Sequence, residues 1–247
     1  MISKKPIILE LISNPECGKT HFCTTINKSA MVDLTIRFES DVIFAKNRTE
    51  QEFEELYCQA DSFNSIIRFI RDLPEDITTI CFDGSSNLMH LIESQWCDDN
   101  KRKQALQVEY GHLYEMLNKQ IITPIIKRPS NIVLTSGLRD EYIGTIDEKG
   151  RATSVKTGKK ERQGIKPIEY IRDIGLNLYF NEEGHRANKI IKNRFVSRTI
   201  LKNPDDKNSE QIDNQFYIKE LKPEANWTTL IDAICVSGSA MRREWII

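Results

Sequence analysis

One short stretch limits what this chain can fold into more than any other. Residues 13–20, Ser-Asn-Pro-Glu-Cys-Gly-Lys-Thr, sit between an apolar run and a helix-compatible one. Before them, Pro6–Ile12 (PIILELI) reads as a mostly apolar strand; after Gly18, the residues THFCTTINKSA read as a helix. A reversal of this kind turns backbone N–H groups toward one point, where they can surround phosphate oxygens. The octet fits the pattern G-x-x-x-x-G-K-[ST] at its last three positions and carries Ser13 in place of the first glycine. Gly18 lets the backbone approach a phosphate closely. Lys19 brings a point charge to the β and γ phosphates, and the Thr20 hydroxyl is a magnesium ligand. Ser13, Asn14, Pro15, Glu16, Cys17, Gly18, Lys19, Thr20 and His21 are therefore the candidate phosphate cradle. Gly-Lys-Thr alone also fits an ordinary turn capped by a helix, and it is the flanking strand and helix that favour the cradle. Ser13 is small but lacks glycine's freedom at positive φ, which bears on the loop's geometry.

A magnesium–phosphate site also needs a carboxylate at the end of a neighbouring strand. The run Ile77–Phe82 (ITTICF) ends in Asp83-Gly84-Ser85-Ser86 and supplies one. By itself Asp83-Gly84 is a common turn pair. Coupled to the upstream octet, Asp83 becomes the second magnesium group. For a base or water-positioning carboxylate, Glu39 is the choice and Asp33 the alternative, because Arg37–Ser40 should lie at the carboxyl end of a second strand, Val32–Phe38, beside the loop. A solvated surface carboxylate is the competing reading of Glu39. Glu10, inside the first strand, reads as structural. Asn131–Thr135 (NIVLT) is a third apolar strand whose end carries two hydroxyl residues, Thr135 and Ser136, and such an end can sense a γ phosphate; a strand that simply runs out into Gly137 is the competing reading.

The remaining pattern alternates. Gln51–Leu73 reads as one amphipathic helix, with Phe53, Leu56, Tyr57, Ala60, Phe63, Ile67 and Ile70 at helical spacing and Pro74 ending it. A long helical stretch covers Gln104 to about Ile122. Tyr142–Val155 alternates around a Glu-Lys-Gly turn at 148–150 and reads as a hairpin. Ile168–Ile174 is a short helix, Gly175–Phe180 a strand and residues 187–201 another; Asn203–Asn214 is a loop, and Trp227–Ile234 is helical. Strands alternating with helices predict an α/β domain with a mainly parallel sheet, its ligand site along one edge. No strong linker interrupts residues 1–247, so a single domain is expected.

From Lys149 to Lys166 the chain carries seven basic residues, Lys149, Arg151, Lys156, Lys159, Lys160, Arg162 and Lys166, against one acid, Glu161. Three glycines, at 150, 158 and 164, make this a candidate mobile basic loop. Such loops suit a nucleic-acid backbone, and Tyr142 could stack a base; a solvated loop is the plain alternative. Lys192 and Arg194 share one side of a predicted strand, where an exposed face is the bland reading and a nucleotide on a neighbouring subunit the sharper one.

With a net charge of −1 over 247 residues, no global field advertises nucleic acid, and any such contact must come from a local patch. The six cysteines form no C-x-x-C pair, so zinc has little support. No stretch approaches the roughly 20 apolar residues of a membrane span, and the N-terminus lacks a leader pattern. A cytoplasmic chain with free thiols and no membrane partner is expected.

Together these pieces resemble a known family. In order they are Pro15-x-x-Gly18-Lys19-Thr20, the strand ending in Asp83, Tyr110-Gly111 in a helix, I-V-L-T-S-G-L-R-D-E-Y at 132–142, the hairpin with its basic glycine-containing segment, and K-N-R-F at 192–195. The chain looks like the small RecA-like P-loop ATPases of phages and archaeal viruses, the Sak-type single-strand annealing or phage nucleotide-binding proteins. The resemblance spans about residues 6–200, leaving 201–247 as an extension. It implies a RecA-type core, ATP and Mg2+ as ligands, single-stranded DNA as partner, and a homo-oligomer with nucleotide near the subunit interface. Lys192 and Arg194 would act across that interface. Arg151, Lys156, Lys159, Lys160 and Arg162 would meet DNA. Lys19, Glu39, Asp83 and Ser136 would carry hydrolysis, and the gene would be viral, its product acting in the host cell. Ser13 departs from the family's glycine and bears on turnover more than on binding. Two other functions fit the same loop: a small nucleotide or nucleoside kinase, which would need a lid, and a non-hydrolysing nucleotide-dependent assembly protein.

Overall fold

The computed structural model describes residues 6–35, 49–146, 152–163, 165–193, 200–202, 210–212 and 226–231. Its centre is an eight-stranded sheet. Three strands, β1 (Ile8–Ile12), β2 (Ser29–Asp33) and β4 (Thr79–Asp83), are buried at every residue. Strands covered on both faces read as continuous apolar runs rather than alternating ones, which is why PIILELI and ITTICF stand out in the sequence. With β3 (Tyr57–Gln59), β5 (Asn131–Ile146), β6 (Ala152–Gln163), β7 (Ile174–Phe180) and β8 (Arg186–Asn193), the order is β3-β2-β4-β5-β1-β7-β8, and β6 pairs with the outer part of β5. The pairs β1–β5, β1–β7, β2–β3, β2–β4 and β4–β5 are parallel; β5–β6 and β7–β8 are antiparallel. The expected α/β architecture, a mainly parallel sheet flanked by helices and carrying a β-hairpin, is what the chain adopts. The strands β1 and β4 are not neighbours: β5 lies between them, so their carboxyl ends flank a crevice of the kind where open α/β sheets bind ligands.

The helices are α1 (Lys19–Thr24), α2 (Glu50–Leu56), α3 (Phe63–Asp72), α4 (Ser85–Asp99), α5 (Tyr110–Leu117), α6 (Thr123–Lys127) and α7 (Lys166–Ile171). The single helix expected over Gln51–Leu73 is two. Thr49 caps α2 reciprocally with Glu52, and Ser62 caps α3 with Ser65. Between them Tyr57, Cys58 and Gln59 extend to pair with Met31, Val32 and Asp33 of β2, so sheet pairing overrides a continuous helical period. Helix α4 goes unread in the sequence, because its serine- and aspartate-rich ends hide a buried stripe of Leu88 and Ile92. The expected helix 104–122 becomes α5, a π turn (Asn118–Ile122) and α6. Pro124 has no N–H to donate into the ladder, which gives the break a cause. Two short strands, β9 (Ile200–Lys202) and β10 (Glu210–Ile212), form a separate antiparallel pair, the second inside a segment expected to be loop. Residues 227–231 are helical, as expected.

One core runs through these layers. Phe22 of α1, Phe63 of α3 and Phe82 of β4 are among its largest buried side chains. Each contributes roughly 1.5–3 kcal/mol relative to exposure. Among the described residues no helix is long and apolar enough to cross a membrane.

Candidate functional site

Residues 13–20 leave the carboxyl end of β1 and turn into α1. Asn14, Pro15 and Glu16 are exposed, Cys17 is buried, and Gly18, Lys19 and Thr20 are half-buried. His21 is exposed on α1. The loop's left-handed residues are Glu16 (φ 67) and Gly18 (φ 93); Ser13 is not among them. Glycine's conformational freedom is thus needed at 18 and not at 13, and the substitution at the first motif position carries no backbone strain of that kind. Ser13 is tied in: its N–H donates to Ser136 O (3.1 Å) and its hydroxyl to Asn14 O (2.6 Å).

Lys19 reaches back across the loop. Its ammonium donates to Ser13 Oγ (2.7 Å), Asn14 O (3.0 Å) and Ser13 O (3.2 Å). Burial lowers its pKa below the ordinary lysine value, and the nearby Asp83 carboxylate opposes that shift. An ammonium held by uncharged oxygens in a partly desolvated loop is a cation for which an anion would compete strongly.

Asp83 ends β4 and is 3% exposed. Its Oδ2 accepts from the Thr20 hydroxyl (2.6 Å) and its Oδ1 from the Thr135 hydroxyl (2.6 Å). Thr135 Oγ1 in turn accepts from the Gly84 N–H (2.7 Å). Gly84, at φ 84, starts α4 in a conformation other residues take only with strain, and a Cβ there would lie 3.1 Å from Thr35 Cγ2. Thr20 and Asp83, predicted from opposite ends of a 63-residue separation, are therefore in direct contact. A hydroxyl beside a carboxylate at a phosphate loop is an oxygen donor pair suited to Mg2+, which keeps waters and substrate phosphates in its shell and needs no all-protein cage. Among the described residues no group of three or more histidine, cysteine, aspartate or glutamate side chains is placed to hold a metal ion.

Asp33 of β2 is in register with Asp83. Its Oδ1 accepts from the Thr35 N–H (2.7 Å) and hydroxyl (2.6 Å), and its Oδ2 from the Tyr57 hydroxyl (2.6 Å). A carboxylate so occupied positions the chain leaving β2 and is not poised as a base. Glu39 lies outside the described residues.

Ser136 departs from its expected role. Successive residues of a strand face opposite sides, so Thr135 meets Asp83 while Ser136 turns the other way. There its hydroxyl donates to Glu10 Oε1 (2.6 Å) and lies 3.1 Å from Ser85 Oγ. Glu10, in β1, has no solvent exposure and is met by the guanidinium groups of Arg162 and Arg172. Gly175 sits beside Glu10 in the register, and a Cβ there would lie 3.0 Å from Ile191 Cγ1 and 3.3 Å from Arg172 Nε. A side chain at 175 would therefore crowd the arginine that reaches the carboxylate. The structural reading of Glu10 holds, and the residues that satisfy it come from sequence far downstream.

The basic segment needs the larger correction. Residues 152–163 are not a mobile loop but strand β6, paired with residues 137–146 of β5. Arg162 does not point outward with the other cations; it is turned in to Glu10 and also donates to Ile165 O (3.0 Å). Lys156 and Lys160 both bridge Asp140, at 2.6 and 2.7 Å. Lys159 is exposed, as are Tyr142, Ile143 and Val155. Arg151 and Arg194 lie outside the described residues; Lys192 is in β8, opposite Gly175.

Thr135, one of the two hydroxyl residues ending the third apolar strand, orients Asp83, a role that its strand phase could have singled out. Sequence reasoning missed one group at this edge. Arg186, first residue of β8, has its guanidinium beside Gly18: a Cβ built on that glycine would lie 3.9 Å from Arg186 Nη1. No local pattern announces it.

A family model described as an AAA domain matches residues 5–208. No curated protein matches the chain.

Proposed function

We propose that this chain, which belongs to the AAA domain family, binds and hydrolyses ATP with Mg2+ and couples that cycle to single-stranded DNA in recombination or replication. The observation that carries the nucleotide half is the contact of Thr20 with Asp83 beneath a loop whose Gly18 is left-handed and whose Lys19 is partly desolvated. In phosphoryl transfer there is little covalent chemistry for a protein to do; positioning and charge stabilisation supply most of the rate. Mg2+, when bound, would neutralise charge between the β and γ phosphates. Thr20 and Asp83 would hold it, Thr135 would fix the orientation of Asp83, and Lys19 would exchange its loop oxygens for phosphate. Glu39, in the segment after β2, is the proposed water-activating carboxylate.

Support for the DNA half comes from the β5–β6 hairpin, which presents Tyr142 with Lys159 at its surface. Exposed aromatics near cations suit single strands, where stacking is sequence-tolerant. Assembly of copies through the edge strand β8, with Lys192 and Arg194 reaching a neighbour's nucleotide, completes the proposal and its kinship to the Sak-type proteins. The test is ATPase activity of the parent and of Lys19→Ala, each with and without single-stranded DNA. The parent should be stimulated by DNA, and Lys19→Ala should lose about 100-fold or more of its turnover. Equal activity in the two proteins rejects the site; turnover indifferent to DNA rejects the coupling.

A further inference from the structure

Strands β7 and β8 meet in a turn above the same sheet edge as the phosphate loop. The turn is locked by its own hydrogen bonds. Asn181 N–H donates to His185 O (2.9 Å), Gly184 N–H donates to Asn181 O (3.0 Å), and Asn181 Oδ1 accepts from the N–H groups of Glu183 (3.1 Å) and His185 (2.8 Å). Arg186 leaves this turn opposite Phe180 in the register. Its side chain runs to the loop, with Nη1 and Cζ at 3.9 and 4.0 Å from the position a Cβ on Gly18 would occupy. Among the described residues, apart from the chain next to Gly18, no other atom comes within 4 Å of that position. Arg186 is exposed and makes no ion pair among the described residues.

Where Arg186 stands relative to the rest of the site decides what it can touch. β1 has β5 and then β4 on one flank and β7 on the other. The Thr20–Asp83 pair marks the magnesium end, toward β4. Arg186 approaches from the β7 flank, the opposite side. We propose that Arg186 is a phosphate-binding residue acting within its own subunit, and that it grips the α- and β-phosphates of the nucleotide rather than the γ-phosphate. This rests on the phosphate-loop reading above and adds a second cation to it. A guanidinium suits the task because its planar fork matches two phosphate oxygens, and a rigid turn spares it some of the entropy of ordering.

The test is equilibrium binding of Mg2+–ATP and Mg2+–ADP to the parent, Arg186→Ala, Arg186→Lys and Lys19→Ala, followed by titration calorimetry. Arg186→Ala should weaken ATP and ADP by the same factor, about tenfold. Arg186→Lys should recover part of the loss, since it restores the charge without the fork. Thermal unfolding of the nucleotide-free variants should match the parent, because the side chain is exposed. Unchanged affinity in Arg186→Ala, with the parent binding normally and Lys19→Ala weakened, overturns this inference and leaves the phosphate loop standing. A loss confined to ATP also overturns it, because that is the signature of a γ-phosphate contact. A parent that binds neither nucleotide removes the phosphate-loop reading as well.

Discussion

Two buried carboxylates two strands apart in the same sheet, Asp83 and Glu10, have been given opposite surroundings. Asp83 receives the hydroxyls of Thr20 and Thr135, which orient it and bring it no charge. Glu10 receives two guanidinium groups, Arg162 and Arg172, plus the Ser136 hydroxyl. Removing a carboxylate from water costs several kcal/mol unless a cation or good hydrogen bonds offset it. At Glu10 that offset is complete within the chain, and the group ties β1 to β6 and to Arg172 at the end of α7. At Asp83 hydrogen bonds hold the geometry while the negative charge stays usable by a divalent cation. Burial alone therefore does not mark a functional acid in this protein; the two differ in what hydrogen-bonds them, hydroxyls at Asp83 and guanidinium groups with one hydroxyl at Glu10.

The comparison can be broken most directly at Glu10. Glu10→Ala leaves two arginines without their anion, and the expected loss is about 3–5 kcal/mol of folding stability. Denaturant melts should show it as a lower midpoint at unchanged slope. A midpoint equal to the parent's would mean that Glu10 is not the structural member of the pair. Asp83→Asn should do the reverse: near-parental melting, since the amide oxygen still accepts a hydroxyl, with turnover down about 100-fold at saturating Mg2+. If Asp83→Asn melts early while keeping its activity, the assignment of roles is wrong. The smallest effect belongs to the hairpin. Hydrogen bonds from Lys156, and then Lys160, hold the Asp140 carboxyl below its ordinary range. A depressed carboxyl keeps its ion pairs above that range and loses them only as pH falls through it, so both lysines stay engaged at neutral pH. Asp140→Asn should release them and tighten single-stranded DNA about threefold at low salt, the gain fading as salt rises. A gain that is flat in salt would point away from phosphate contacts.

Much of the site was legible because its signals are local. A strand buried on both faces must be apolar throughout, so β1 and β4 could be read; a tight reversal into a helix needs Gly18, so the loop could be read. Asp83 followed from its place at the end of an apolar run. Legibility stopped where a residue's role depends on which way it faces. Thr135 and Ser136 are chemically similar neighbours, and only strand phase sends one to Asp83 and the other to Glu10. Arg162 looked like one cation among seven in a glycine-containing stretch until the pairing of β6 with β5 turned it inward. Tyr57 belonged to a helical period until β2 offered it an edge.

The amino-acid order by itself determined that this chain would build a strand–loop–helix cradle and a second strand ending in a carboxylate, because periodicity and backbone sterics act over a few residues. Tertiary structure alone decided that Thr20 touches Asp83, that Glu10 is neutralised from 152 and 162 residues away, and that Arg186 stands beside Gly18. Those are long-range pairings, set by sheet order and register, and no short window of sequence contains both partners.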